Sequence, residues 1–108
     1  MVNRHRGEIA AKFDGRDWTL CLTLGALAEL EAAFEAEDLQ ALASRFSEGR
    51  LKATDLTQVI AAGLRGAGHV VDLEDVKQMQ AEGGAVGFAR VVGELLQVTF
   101  GSAHAESV

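Results

Sequence analysis

Three histidines, one cysteine, a glycine-rich run and a group of acids are the places where this chain could do chemistry. His5, His69 and His104 stand far apart, and no two have the i, i+4 spacing with which a helix offers two imidazoles to a metal. They read as packed or solvated side chains, and neither a metal nor a cofactor is expected. Cys21 falls on the polar face of a predicted strand. A catalytic thiol needs a base and an electropositive setting beside it, and the neighbouring sequence supplies neither. As the single cysteine of the chain it also excludes an internal disulfide and fits a reducing compartment. Gly63-Leu64-Arg65-Gly66-Ala67-Gly68 follows a helix pattern instead of a strand and lacks the Lys-Ser/Thr of a phosphate loop, so it reads as a helix C-terminus. Asp72, Glu74 and Asp75 gather at a helix start, where negative charge suits the helix dipole. A small enzyme or metal-binding regulator built on His69 with Cys21, or on Asp72–Asp75, lacks the further groups it would need. No catalytic residue is assigned, and the chain is expected not to be an enzyme.

The elements that carry these residues are legible from periodicity. Ile9, Ala11 and Phe13 alternate with polar or small residues, as do Trp18, Leu20 and Leu22, and Asp14-Gly15 between them is a favoured tight-turn pair. With a two-residue loop, Phe13 opposes Arg16, Ala11 opposes Trp18 and Ile9 opposes Leu20, which sets the apolar side chains on one face. A two-stranded sheet is only marginally stable alone, so this face must pack on helices. The first helix is predicted over 24–35, capped by Thr23, with Leu27, Leu30 and Phe34 as its buried stripe. Asp38 caps a second with Leu39, Leu42 and Phe46, ending at Gly49. Thr54 caps a third with Leu56, Val59, Ile60 and Leu64 on one face, where Gly63 permits close approach of a neighbouring backbone; Gly66-Ala67-Gly68 stops it. Asp72 opens a fourth with Leu73, Val76 and Met79, closed by Gly83-Gly84, and the fifth runs over 86–100. The fold class is therefore α+β: an N-terminal β-hairpin followed by a bundle of four to five short helices.

At 108 residues, 48% hydrophobic and 24% charged, the chain has room for one globular domain, placed at 1–101, with 102–108 a short loose tail. Its apolar runs are too short for a membrane span, and no partner in a membrane is expected. The basic start, Met1 to Arg6, is not followed by the apolar stretch of a signal peptide, which points to the cytoplasm, and Arg4 and Arg6 read as a solvated arm. The net charge is −6. Six acids and no Lys or Arg lie between Asp17 and Ser44, so that segment carries the whole imbalance. Nucleic-acid binders concentrate the opposite charge, so nucleic acid is not expected as a direct partner, and a basic protein is. Two surfaces stand out. Glu31 and Glu35 stack one turn apart on the first helix, an unfavourable like-charge pair without a basic neighbour. On the last helix Phe88, Val91, Val92, Leu95, Leu96 and Phe100 cover well over half the circumference, which makes that helix either central or partner-facing. Burial within a homo-oligomer would satisfy both.

Asn3-Arg4-His5-Arg6-Gly7-Glu8 leading into a hairpin, Leu22-Thr23-Leu24-Gly25-Ala26-Leu27-Ala28-Glu29-Leu30-Glu31, and Gly63 to Gly68 together resemble the gene transfer agent family proteins, relatives of phage tail assembly chaperones. The resemblance spans roughly residues 3 to 100. It implies a non-enzymatic assembly chaperone of a phage-like tail gene cluster that binds the tape measure protein and other tail proteins during assembly. The partner-binding residues would then be Phe88, Val91, Val92, Leu95, Leu96 and Phe100, with Glu31 and Glu35. The family has also been labelled a tail tube component, which implies the alternative of a structural subunit retained in the particle.

Overall fold

The computed structural model describes residues 2–48 and 51–101. Strands β1 (Glu8–Phe13) and β2 (Arg16–Cys21) form a two-stranded antiparallel sheet. Asp14 and Gly15 both have positive φ, 56° and 75°, the conformation of a tight turn whose twist matches its strands. The register is the expected one: Phe13 opposite Arg16, Ala11 opposite Trp18, Ile9 opposite Leu20. Ile9, Phe13 and Leu20 are fully buried by the helices packed on that face. The other face stays open, with Ala10, Lys12 and Asp17 exposed.

Among the described residues five α-helices follow: α1 (Leu24–Phe34), α2 (Leu39–Ser47), α3 (Ala53–Gly66), α4 (Leu73–Lys77) and α5 (Gly84–Leu96), the last running into a π-helical turn, Gln97–Gly101. The α+β expectation holds. Thr23 and Asp38 cap α1 and α2, accepting from the amides of Ala26 (3.1 Å) and Ala41 (2.8 Å). Leu27, Leu30, Phe34, Leu42 and Phe46 fill the core as their spacing predicted, and Phe34 meets Phe46 edge-on at 5.5 Å. The expected end of α2 at Gly49 and the tail from Ser102 to Val108 lie outside the described residues.

Helix α3 is the centre of the molecule. Val59, Ile60, Ala61, Ala62 and Leu64 are all buried in it, because it packs on β2, α1, α4 and α5 together. Its start differs from the expectation. Lys52 is the capping position, and Asp55 reaches back to accept its amide at 2.9 Å, so Thr54 lies inside the helix. Close backbone approach occurs at Gly66, where an added Cβ would fall on the Cys21 carbonyl oxygen. At Gly63 the neighbours are the side chains of Leu95 and Leu20.

Helix α4 is shorter than its pattern suggested. Asp72 and Asp75 cap each other reciprocally, at 2.9 and 3.0 Å, but the helix stops at Lys77. The following segment pairs with the hairpin instead: Asp14 N–H donates to the Gln80 carbonyl (2.8 Å), Gln80 N–H donates to the Asp14 carboxylate (2.9 Å), and Ala81 bridges Phe13. Gln78 and Met79 still donate locally, to Asp75 and Val76, and from Gln80 onward tertiary contacts take over from helical ones.

Candidate interaction surface

The broad apolar circumference of α5 is used mostly within the fold. Val92 and Leu95 are fully buried, and Phe88, Val91, Leu96 and Phe100 are half-buried against the core. Phe88 stacks on Phe13 with centroids 5.5 Å apart. Helix α5 is therefore a central element, and what it leaves to solvent are the outer parts of Phe88, Val91, Leu96 and Phe100, together with Val86.

The acidic face of α1 divides. Glu29 pairs with Arg65, whose Nε also donates to the Val71 carbonyl at 2.9 Å, so this acid has the basic neighbour that its sequence surroundings lacked. Glu31 is half-buried, while Glu35 is exposed and held at φ 55°, ending α1 in the left-handed region. Beside Glu35 an open polar cleft of about 510 Å³ is lined by Phe34, Arg45, Thr54, Asp55 and Gln58, with the Arg45 guanidinium 5.1 Å over the Phe34 ring.

A second concavity is apolar, and the sequence gave no warning of it. Leu56 and Ile60 of α3, Val76 and Met79 at α4, and Ala85 and Phe88 of α5 line a groove of about 180 Å³, with Lys77 at its edge. It exists because α4 ends early, leaving Met79 and Phe88 to flank α3 without an intervening turn.

The residues first considered for chemistry are placed as structural groups. Among the described residues no three His, Cys, Asp or Glu side chains converge as metal ligands. His69 meets the Trp18 ring edge-on at 4.9 Å, and its Nε2 is buried without a hydrogen-bond partner among the described residues. The Cys21 thiol donates to the Arg6 carbonyl at 3.5 Å; burial pushes its pKa up, nearby Glu8 adds to the rise, and Arg6 partly opposes it. A raised pKa keeps sulfur protonated and disfavours nucleophilic use. Asp72 and Asp75 cap α4, and Glu74 pairs with Lys77 at 3.1 Å.

The N-terminal arm is exposed, as a solvated arm would be, but it is also tied to the fold. Arg4–Arg6 forms a 3-10 turn, Asn3 O accepts the Glu8 amide at 3.1 Å, and Arg4 pairs with Glu94 of α5 at 2.7 Å.

Comparison with known protein families matches residues 6–102, nearly the whole chain, to the family described as phage tail tube protein, GTA-gp10. The chain belongs to this gene transfer agent tail family. No curated protein and no solved structure matches it. The match overturns the tail assembly chaperone reading: the family is described as a tube protein, which favours a subunit of the tail over a helper that binds the tape measure protein. Of the α5 residues expected to bind a client, Val92 and Leu95 are buried, while Phe88, Val91, Leu96 and Phe100 stay half-buried. No helix among the described residues is long and apolar enough to cross a membrane.

Proposed function

We propose that the chain is a structural subunit of a phage-like gene transfer agent tail, retained in the finished particle, associating with other tail proteins and acting without catalysis. The observation that carries this reading is the family match over residues 6–102. The arrangement of the molecule supports it in two ways. Cys21, Asp72, Glu74 and Asp75 are engaged in packing, caps and an ion pair, and His69 packs on Trp18. The surface offers a local apolar groove and a segregated acidic flank, which suit protein contacts.

The hairpin also bears on how such a subunit meets its neighbours. Strand β1 is closed at both ends of its outer edge, by Asn3 at Glu8 and by Gln80 at Asp14. On β2 the outward backbone groups of Asp17 and Thr19 have no backbone partner among the described residues. Ala10 and Lys12 of β1 are likewise without backbone partners among the described residues, but a neighbouring strand longer than that gap would meet Asn3 or Gln80, which favours strand addition on β2. Quantitative mass spectrometry of purified particles tests the proposal. A signal stoichiometric with the other tail proteins is expected, and near-absence from intact particles would overturn it.

A further inference from the structure

We propose that the N-terminal arm is an autoinhibitory strap: residues 3–6 swing as a unit about Gly7, and their position decides whether the start of the β1 outer edge is open to strand addition. The two clamps on that edge are built differently. At the far end Asp14 and Gln80 exchange hydrogen bonds of 2.8 and 2.9 Å, and Ala81 bridges Phe13, which is fully buried. That clamp opens only if the core opens with it. At the near end the ties of residues 3–6 are polar. The Asn3 carbonyl accepts the Glu8 amide at 3.1 Å, and the Asn3 amide donates to the Glu8 carboxylate at 2.9 Å. Arg4 pairs with Glu94, and the Arg6 carbonyl accepts the Cys21 thiol. No residue of the Arg4–Arg6 turn is buried, and the ion pair is substantially exposed on both sides. Such a pair holds loosely, and salt weakens it further.

The arm carries its own framework. The Asn3 side chain accepts the His5 amide, the Asn3 carbonyl accepts the Arg6 amide, and the Arg4 carbonyl accepts the Gly7 amide, each at 3.0 Å. These bonds close within residues 3–7, so the turn keeps its shape when it leaves the strand. Gly7, at φ 81°, is the joint. A Cβ there would meet no heavy atom within 4 Å, so the position demands glycine for its backbone conformation and not for space. With the strap closed, the Glu8 amide is taken, and Ala10 and Lys12 are the part of the β1 edge left without backbone partners among the described residues. With the strap open, Glu8 joins them, and the outward row runs unbroken from the first residue of the strand. An edge of that length is the kind that a neighbouring strand extends.

This inference rests on the tail-subunit reading only for what an opened edge would serve. Its test uses the isolated full-length chain, whereas that reading is decided by particle composition. Amide exchange is followed by NMR at Glu8, with buried Leu30 as the internal reference for opening of the whole fold. Added salt and Arg4→Glu should each speed exchange at Glu8 by about threefold or more while Leu30 stays unchanged. Combining Arg4→Glu with Glu94→Arg should bring the rate back. Gly7→Ala keeps every charge but strains the left-handed joint, and should speed exchange at Glu8 by about tenfold. Exchange at Glu8 that ignores both salt and Arg4→Glu, or that the reversed pair does not restore, would overturn the proposal. Equal acceleration at Leu30 would overturn it too, because the edge would then be opening only with the entire molecule.

Discussion

Glu35 is the residue whose conformation most opposes its side chain. At φ 55° it ends α1 by donating to Ala32 while Ala36 donates to Glu31, an arrangement in which glycine is the usual occupant. Glu35→Gly is expected to raise unfolding stability by about 1 kcal/mol in urea titration, by removing the left-handed penalty. The two glycines of α3 separate a soft contact from a hard one. Gly66→Ala drives its Cβ into the Cys21 carbonyl and should cost about 1–3 kcal/mol. Gly63→Ala meets the end of the Leu95 side chain, which can turn aside, and the helix-propensity gain of about 1 kcal/mol offsets much of the cost. Periodicity put Gly63 on the buried face, but which glycine faces backbone depends on where β2 crosses α3, and that no local pattern encodes. Cys21 supplies a pH prediction. Because its folded pKa is raised, its contribution to stability is present at neutral pH and is lost as pH rises past the ordinary thiol range. Iodoacetamide should therefore label it more slowly at pH 7 than a short peptide thiol, with the rate climbing in alkali, and stability measured across the same range should fall in parallel.

Among the elements, the hairpin was the most legible because two independent signals agreed: alternation fixed the faces and Asp14-Gly15 fixed the register. The caps at Thr23, Asp38 and Asp72 were legible for a similar reason, since a side chain that accepts from an amide two or three residues ahead leaves a local signature. Asp38→Ala is expected to destabilise the fold by about 1 kcal/mol, read from the urea midpoint. Where the deciding bond was long-range the sequence misled. The apolar spacing of Leu73, Val76 and Met79 continues a helix, yet Gln80 and Ala81 find partners on the hairpin tip some sixty residues earlier. The N-terminal arm went the same way, because the pairing of Arg4 with Glu94 spans almost the entire chain. Both of those groups are substantially exposed, 55% and 42%, so Arg4→Ala should change stability by less than about 1 kcal/mol. It should instead speed hydrogen exchange at Glu8, whose amide depends on the arm staying in place.

For the molecule as a whole, hairpin and helices share one hydrophobic core running from Ile9 to Leu95. Denaturant unfolding should accordingly be a single transition, with Trp18 fluorescence and far-ultraviolet circular dichroism changing together. Trp18, the sole tryptophan, reports on the hairpin, while dichroism reports on the helices. Function was less accessible than fold. The tail family could be read from the stretches around Leu22 and Gly63, but their residues are spent on the strand-to-helix junction and a helix end and say nothing about whether it stays in the particle. The groove beside Phe88 escaped notice because Leu56 and Ile60 sit on the same helical stripe as fully interior residues, and an early helix end decides what remains open.

The flanked rim of β1 has a consequence for crowding. A two-stranded ribbon with both sides free could stack without limit into fibres. Here Asn3 and Gln80 leave β1 only the short stretch of Ala10 and Lys12, so two molecules meeting ribbon to ribbon through β2 would leave little edge for a third. Accretion along that axis is thereby discouraged beyond a pair.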